Sequence, residues 1–133
     1  MFLERLFNQT NAPELEQMVK FTEARHTLLA DNIVNIDTPG YQAKDLSLGG
    51  FQEMLGERMD QRDSNTPGAT DFSDVMPKAT DPNGGVLFHD GQKRSLEQLM
   101  SDFSKNALMH NTVIEMLRQQ YMMLDMAITE KPE

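Results

Sequence analysis

The sequence predicts a mostly α-helical protein: two long terminal helices pair as a helical hairpin or coiled coil, joined by a long irregular, partly disordered middle segment. Three observations predict it. Leu96, Met100, Phe103, Ala107, His110, Ile114, Leu117, Tyr121, Leu124 and Ile128 follow one another at alternating steps of four and three, the rhythm of a helix packed lengthwise on others. Leu15, Val19, Thr22, His26, Leu29, Ile33 and Ile36 form a second such stripe, widened by Phe21, Ala24 and Leu28. Between the two stripes Asp, Ser, Thr, Asn, Gly and Pro dominate.

The 133 residues divide into a helix over 11–36, a turn motif over 37–45, a mobile middle segment over 46–94 and a heptad helix over 95–130, all within one unit. At the first helix, Asn11 suits the cap, Pro13 the first turn, and Glu14 closes a capping box. The pattern runs from about Pro13 to Asn35 or Ile36. Asp37-Thr38-Pro39-Gly40-Tyr41 then stops it, with Pro where φ is fixed and Gly where φ turns positive, which specifies a type II turn. Tyr41 lands where its ring can lie back on the helix end.

In the middle, Phe51, Met54, Leu55 and Met59 suit one short amphipathic helix. Thr66-Pro67-Gly68 and Asp81-Pro82-Asn83-Gly84-Gly85 are loop chemistry, and Val86-Leu87-Phe88 is a compact apolar run suited to a strand or a docking tag. The last helix takes Ser95 as its cap, Gln98 as the capping partner, and Lys131-Pro132 as its end. Met109, Met116 and Met123 broaden its apolar face with unbranched thioethers that tolerate inexact partners.

Several functions are disfavoured. A net charge of −9 argues against nucleic acid and against an anionic membrane surface. Cysteine is absent, so disulfide and thiol chemistry are excluded. No stretch suits a membrane span, and Met1 to Phe7 lacks the sustained apolar run of a cleavable signal peptide. His26, His89 and His110, even with Asp31 or Asp90, lack the spacing of a structural zinc site; His26 and His110 both lie on the helix stripes, and whether they meet across the pair, as a pH-sensitive contact would require, is left open by the sequence. No nucleophile turn, phosphate loop or paired-carboxylate constellation stands out, so neither an enzyme nor a cofactor is expected.

The run Leu28-Leu29-Ala30-Asp31-Asn32-Ile33-Val34-Asn35-Ile36-Asp37-Thr38-Pro39-Gly40-Tyr41-Gln42-Ala43-Lys44-Asp45 resembles the N-terminal signature of the bacterial flagellar rod and hook proteins. Asp90-Gly91, Leu96-Glu97, Met100, Asn106, Leu108, Met123-Leu124 and Ala127-Ile128 are similar to the closing helix of the basal-body rod family, and the chain looks most like its proximal-rod members. The resemblance implies a structural subunit of the rod, exported without signal cleavage through the flagellar type III apparatus and placed in the periplasmic basal body. Implied partners are other rod proteins, further copies of itself, and the basal-body base and export apparatus, with no direct membrane insertion.

The residues expected to carry assembly are Leu29, Asn32, Ile33, Asn35, Thr38, Pro39, Gly40 and Tyr41 at one end, with Phe103, Ala107, His110, Ile114, Leu117, Tyr121, Leu124 and Ile128 at the other. Asn32, Asn35 and Thr38 suit a cross-subunit hydrogen-bonding strip; the bland alternative has Asn35 ending its own helix and Asn32 solvated. The competing function is a soluble helical adaptor or type III export chaperone.

Overall fold

The structure, a computed structural model, describes residues 10–64, 71–80 and 92–129. Among these residues it has three helices: α1 (Ala12–Val34), α2 (Leu48–Ser64) and α3 (Gln92–Thr129). The first and last pair along their lengths, as the two apolar stripes require. No strand forms among the described residues. A single isolated antiparallel bridge joins Asp45 to Thr80, each amide donating to the other's carbonyl at 2.9 and 3.0 Å.

α1 starts differently from the expected capping box. Asn11 makes no side-chain capping bond; the Ala12 N–H donates instead to Thr10 Oγ1 at 3.3 Å. Glu14 turns inward, where its carboxylate is held by the guanidinium of Arg62 near the end of α2. A carboxylate spent on an ion pair cannot reach back to the cap. At the other end, Asn35 N–H donates to Asp31 O at 3.0 Å, and Tyr41 N–H to Thr38 O at 3.2 Å across Pro39-Gly40. Gly40 sits at φ +78°, so the type II turn forms as its residues dictate.

α2 is longer than the short helix suggested by Phe51 to Met59, spanning 17 residues inside the segment expected to be mobile. Its Phe51 stacks on Phe21 of α1 at 4.3 Å between ring centroids. Leu46, Leu55, Phe72 and Val75 complete a small core around that pair, with Met18, Leu28, Met54, Met76 and Met109 packed at its edge. The segment 71–80 is tied down by Gln17 Nε2 donating to Val75 O at 2.7 Å. Arg25 grips Asp45 through Nε and Nη2, donating to its two carboxylate oxygens at 2.9 and 3.1 Å. The expected loops at Thr66 to Gly68 and Asp81 to Gly85, the Val86-Leu87-Phe88 run, and His89 and Asp90 lie outside the described residues.

α3 begins at Gln92, ahead of the expected cap at Ser95, because Gln92, Lys93 and Arg94 are all good helix formers. It ends at Thr129; the expected stop at Lys131-Pro132 lies outside the described residues.

Truncating Phe51 to alanine is expected to cost about 3–5 kcal/mol, since it empties the centre of the core. Val34→Ala, on a side chain 80% exposed, is expected to stay within about 0.5 kcal/mol. Urea unfolding followed by circular dichroism measures both.

Candidate assembly surface

α1 is buried on two sides at once. One side, through Glu14, Gln17, Phe21 and Arg25, meets α2 and the residues around Asp45 and Val75. The other, through Glu16, Thr22 and His26, meets α3. The pairing is antiparallel: His26 stacks on Phe103 at 4.2 Å, Thr22 meets Asn106 and His110, and Glu16 meets Tyr121.

The seam that α3 turns to α1 consists of Leu96, Leu99, Phe103, Asn106, His110, Val113, Leu117, Gln120 and Leu124, all buried or half-buried. It keeps heptad spacing, but only half of the expected seam takes part. Leu96, Phe103, His110, Leu117 and Leu124, all half-buried, are shared. Met100, Ala107, Ile114, Tyr121 and Ile128 sit one residue past the true partner positions and form a separate flank, exposed except at half-buried Ala107. Counting apolar residues selected that flank because two true seam positions, Asn106 and Gln120, are polar. Asn106 is only 1% exposed and donates to Thr22 O at 2.8 Å. A buried amide whose Nδ2 is held by a carbonyl of the facing helix fixes register, because sliding the helices would leave that donor unpaired.

His26 and His110 take separate partners rather than each other. Thr22 Oγ1 lies 3.0 Å from Met18 O and 2.9 Å from Val19 O, so its proton is directed back into its own helix. His110 Nδ1 lies 2.7 Å from the same hydroxyl, close enough for a hydrogen bond. In place of a histidine pair, the structure gives each ring its own contact, Phe103 for His26 and Thr22 for His110.

The turn residues divide by accessibility. Leu29 is buried, and Asn32, 2% exposed, donates to Lys44 O at 2.7 Å and accepts from Lys44 N–H and Tyr41 OH at 3.1 Å. Asn32 is therefore neither solvated nor turned outward; it buckles the chain beyond the turn back onto α1. Asn35 Nδ2 donates to Asp31 O at 2.9 Å and Thr38 Oγ1 to Asn35 Oδ1 at 3.2 Å, so both side chains help end the helix. Ile33 is half-buried, while Thr38, Pro39, Gly40 and Tyr41 face solvent.

What remains available to a partner is the outer side of α3. Met100, Leu108, Ile114, Met116, Met122, Met123, Met126 and Ile128 are exposed there. Tyr121 is anchored on this flank by its hydroxyl, which donates to the Glu16 carboxylate. Partial burial and that bond push its pKa up to about 12. Charge along α3 is balanced, with Lys93, Arg94, Lys105 and Arg118 against Glu97, Asp102, Glu115 and Asp125. Such a surface is suited to lateral helix packing. Among the described residues, no three His, Asp or Glu side chains converge as metal ligands, and no helix is long and apolar enough to cross a membrane.

No protein-family model matches the chain, and no solved structure matches it. Two curated proteins are similar to most of it. It is 25% identical over 122 residues to the flagellar basal body rod protein FlgB of Bacillus subtilis (strain 168), covering 86% of this chain and 90% of that one. It is 27% identical over 110 residues to FlgB of Aeromonas hydrophila, covering 72% of this chain and 75% of that one. The likeness read from the two end motifs therefore extends through the middle of the sequence.

Phenolate absorbance checks the Tyr121 contact. The raised folded pKa means its contribution to stability is complete below pH about 10 and is lost as pH climbs towards about 12. Glu16→Gln is expected to lower the Tyr121 titration only part of the way towards 10, since burial, the larger cause, remains. Gly40→Val is expected to cost about 1–2 kcal/mol, because a β-branched residue is strained at φ +78° although the space around it is open; thermal melts of the purified chain read it.

Proposed function

We propose that this chain is a structural subunit of the bacterial flagellar basal-body rod, in its proximal part, taking its place by helix–helix packing with neighbouring axial proteins and further copies of itself. One observation carries the reading: α3 is apolar on more of its circumference than α1 and the core cover. A helix of this kind is built for company on two sides. The likeness to two FlgB proteins over most of the chain supports the choice of assembly.

Repeated heterologous contacts between such flanks generate a helical array rather than a closed pair. Each Ile or Leu on the flank contributes about 1.5–3 kcal/mol when covered. The balanced charge of α3 lets copies approach without the repulsion that a chain of net charge −9 otherwise carries. In this reading the subunit is exported by the flagellar type III apparatus without a cleaved signal peptide and resides in the basal body. Its role is mechanical, with neither catalysis nor a cofactor.

The competing reading is a soluble helical adaptor or export chaperone. It draws on the core around Phe21 and Phe51, which gives the free chain some structure of its own. A chaperone stays in the cytoplasm as a discrete complex; a rod subunit fractionates with basal bodies.

Two variants separate folding from assembly. Ile114→Asp, on the exposed flank, is expected to leave the circular dichroism of the purified chain unchanged and to abolish motility and rod assembly. Leu117→Asp, on the α1 seam, is expected to lose both helix and assembly. If Ile114→Asp cells swim normally, the flank has no part in the rod.

A further inference from the structure

We propose that the exposed methionines of α3, Met100, Met116, Met122, Met123 and Met126, form a reversible oxidation site. A peroxide turns their thioethers into sulfoxides and makes the helix surface polar while the chain stays folded. The modification itself does not depend on the rod reading; its effect on assembly rests on that reading.

The carrying observation is how the fold sorts its thioethers. Ten of the eleven methionines lie in the described residues, and they divide evenly. Met18, Met54, Met59, Met76 and Met109 are half-buried against the core around Phe21 and Phe51. The other five all stand on α3, with exposures from 49% at Met116 to 60% at Met126. Met109, Met116 and Met123 show the division on a single helix: they follow one another at heptad spacing, and only Met109 is covered.

Nine large apolar side chains are exposed on α3, and these five methionines are most of them. Oxidation would leave only Leu108, Ile114, Tyr121 and Ile128 to hold a neighbour. With no cysteine in the chain, no thiol of its own takes up the oxidant first. In the step itself a sulfur lone pair attacks one peroxide oxygen; the S–O bond forms as the O–O bond breaks. The departing oxygen leaves as water, carrying the proton of the oxygen that sulfur keeps. Sulfur has lost two electrons and the peroxide has gained them. Methionine sulfoxide reductases reverse this with a dithiol, which becomes a disulfide as the sulfoxide oxygen departs as water. Because a covered flank is out of reach, the step acts on the free subunit before it is packed.

Peptide mass spectrometry of the full chain during treatment with hydrogen peroxide tests the site. The five α3 methionines are expected to gain one oxygen several-fold faster than Met109 and the four other covered methionines. Circular dichroism is expected to stay unchanged while retention on a hydrophobic column falls. Methionine sulfoxide reductases of both stereospecificities, with dithiothreitol, are expected to restore retention. Equal rates at Met109 and Met116, or loss of helix at the dose that oxidises Met116, overturn the proposal. In cells, the chain carrying Met100→Leu, Met116→Leu, Met122→Leu, Met123→Leu and Met126→Leu keeps its apolar surface and cannot take up oxygen there. It is expected to assemble at a peroxide dose that halts the unsubstituted chain, and equal sensitivity of the two at every dose overturns the effect on assembly. Failure of the rod reading shows separately, as unstressed Ile114→Asp cells that swim.

Discussion

The fold depends on α1 being packed from both sides at once. Phe21 belongs to one side and Thr22 to the other, adjacent residues that anchor two different layers. Towards α2 the contact is apolar, with an aromatic stack at its centre and the Glu14–Arg62 pair closing one end. Breaking such a pair from one side would strand a buried charge, at a cost of about 3–5 kcal/mol, so the middle of the chain is held by more than grease. Towards α3 the contact is fixed by polar detail: Asn106 on the Thr22 carbonyl, and His110 on the Thr22 hydroxyl. With α1 satisfied on both flanks, the unmet demand for burial falls on α3.

That division of labour gives the two ends of the molecule different jobs. The compact part, built from α1, α2 and residues 71–80, sets the direction in which the chain leaves the Pro39-Gly40 turn. Asn32 does this directly, because its amide binds the backbone of Lys44 and the hydroxyl of Tyr41 together. Arg25 then pins Asp45, and Asp45 pins Thr80. The long α3 projects an apolar flank from this frame. The proposed rod role calls on both properties, a fixed exit for the chain beyond the turn and an adhesive helix for its neighbours.

Much of this was legible in the residues. The two helices, their pairing and the type II turn follow from apolar spacing and from Pro39-Gly40, because each is local chemistry. The rotation of α3 was not, since apolarity ranks Ala107 above Asn106 and Tyr121 above Gln120. A polar side chain in a seam is visible only when its partner, here a carbonyl on the facing helix α1, is known. Asn32 escaped for the same reason: its partners lie across the turn, at Tyr41 and Lys44. Phe72 and Val75 were hidden by company, two apolar residues among Asp71, Ser73 and Asp74, with nothing local to mark them as core. Long-range ties such as Gln17 to Val75 leave no periodic trace.

The central claim is that the outer flank of α3 is open in the free subunit and covered in the assembly. A single cysteine at position 114, in a chain that has none of its own, reports it through its rate of thiol labelling. The expected result is rapid labelling of the purified protein and strong protection in isolated basal bodies. Equal labelling in both settings, or protection already present in the dilute purified chain, would contradict the claim.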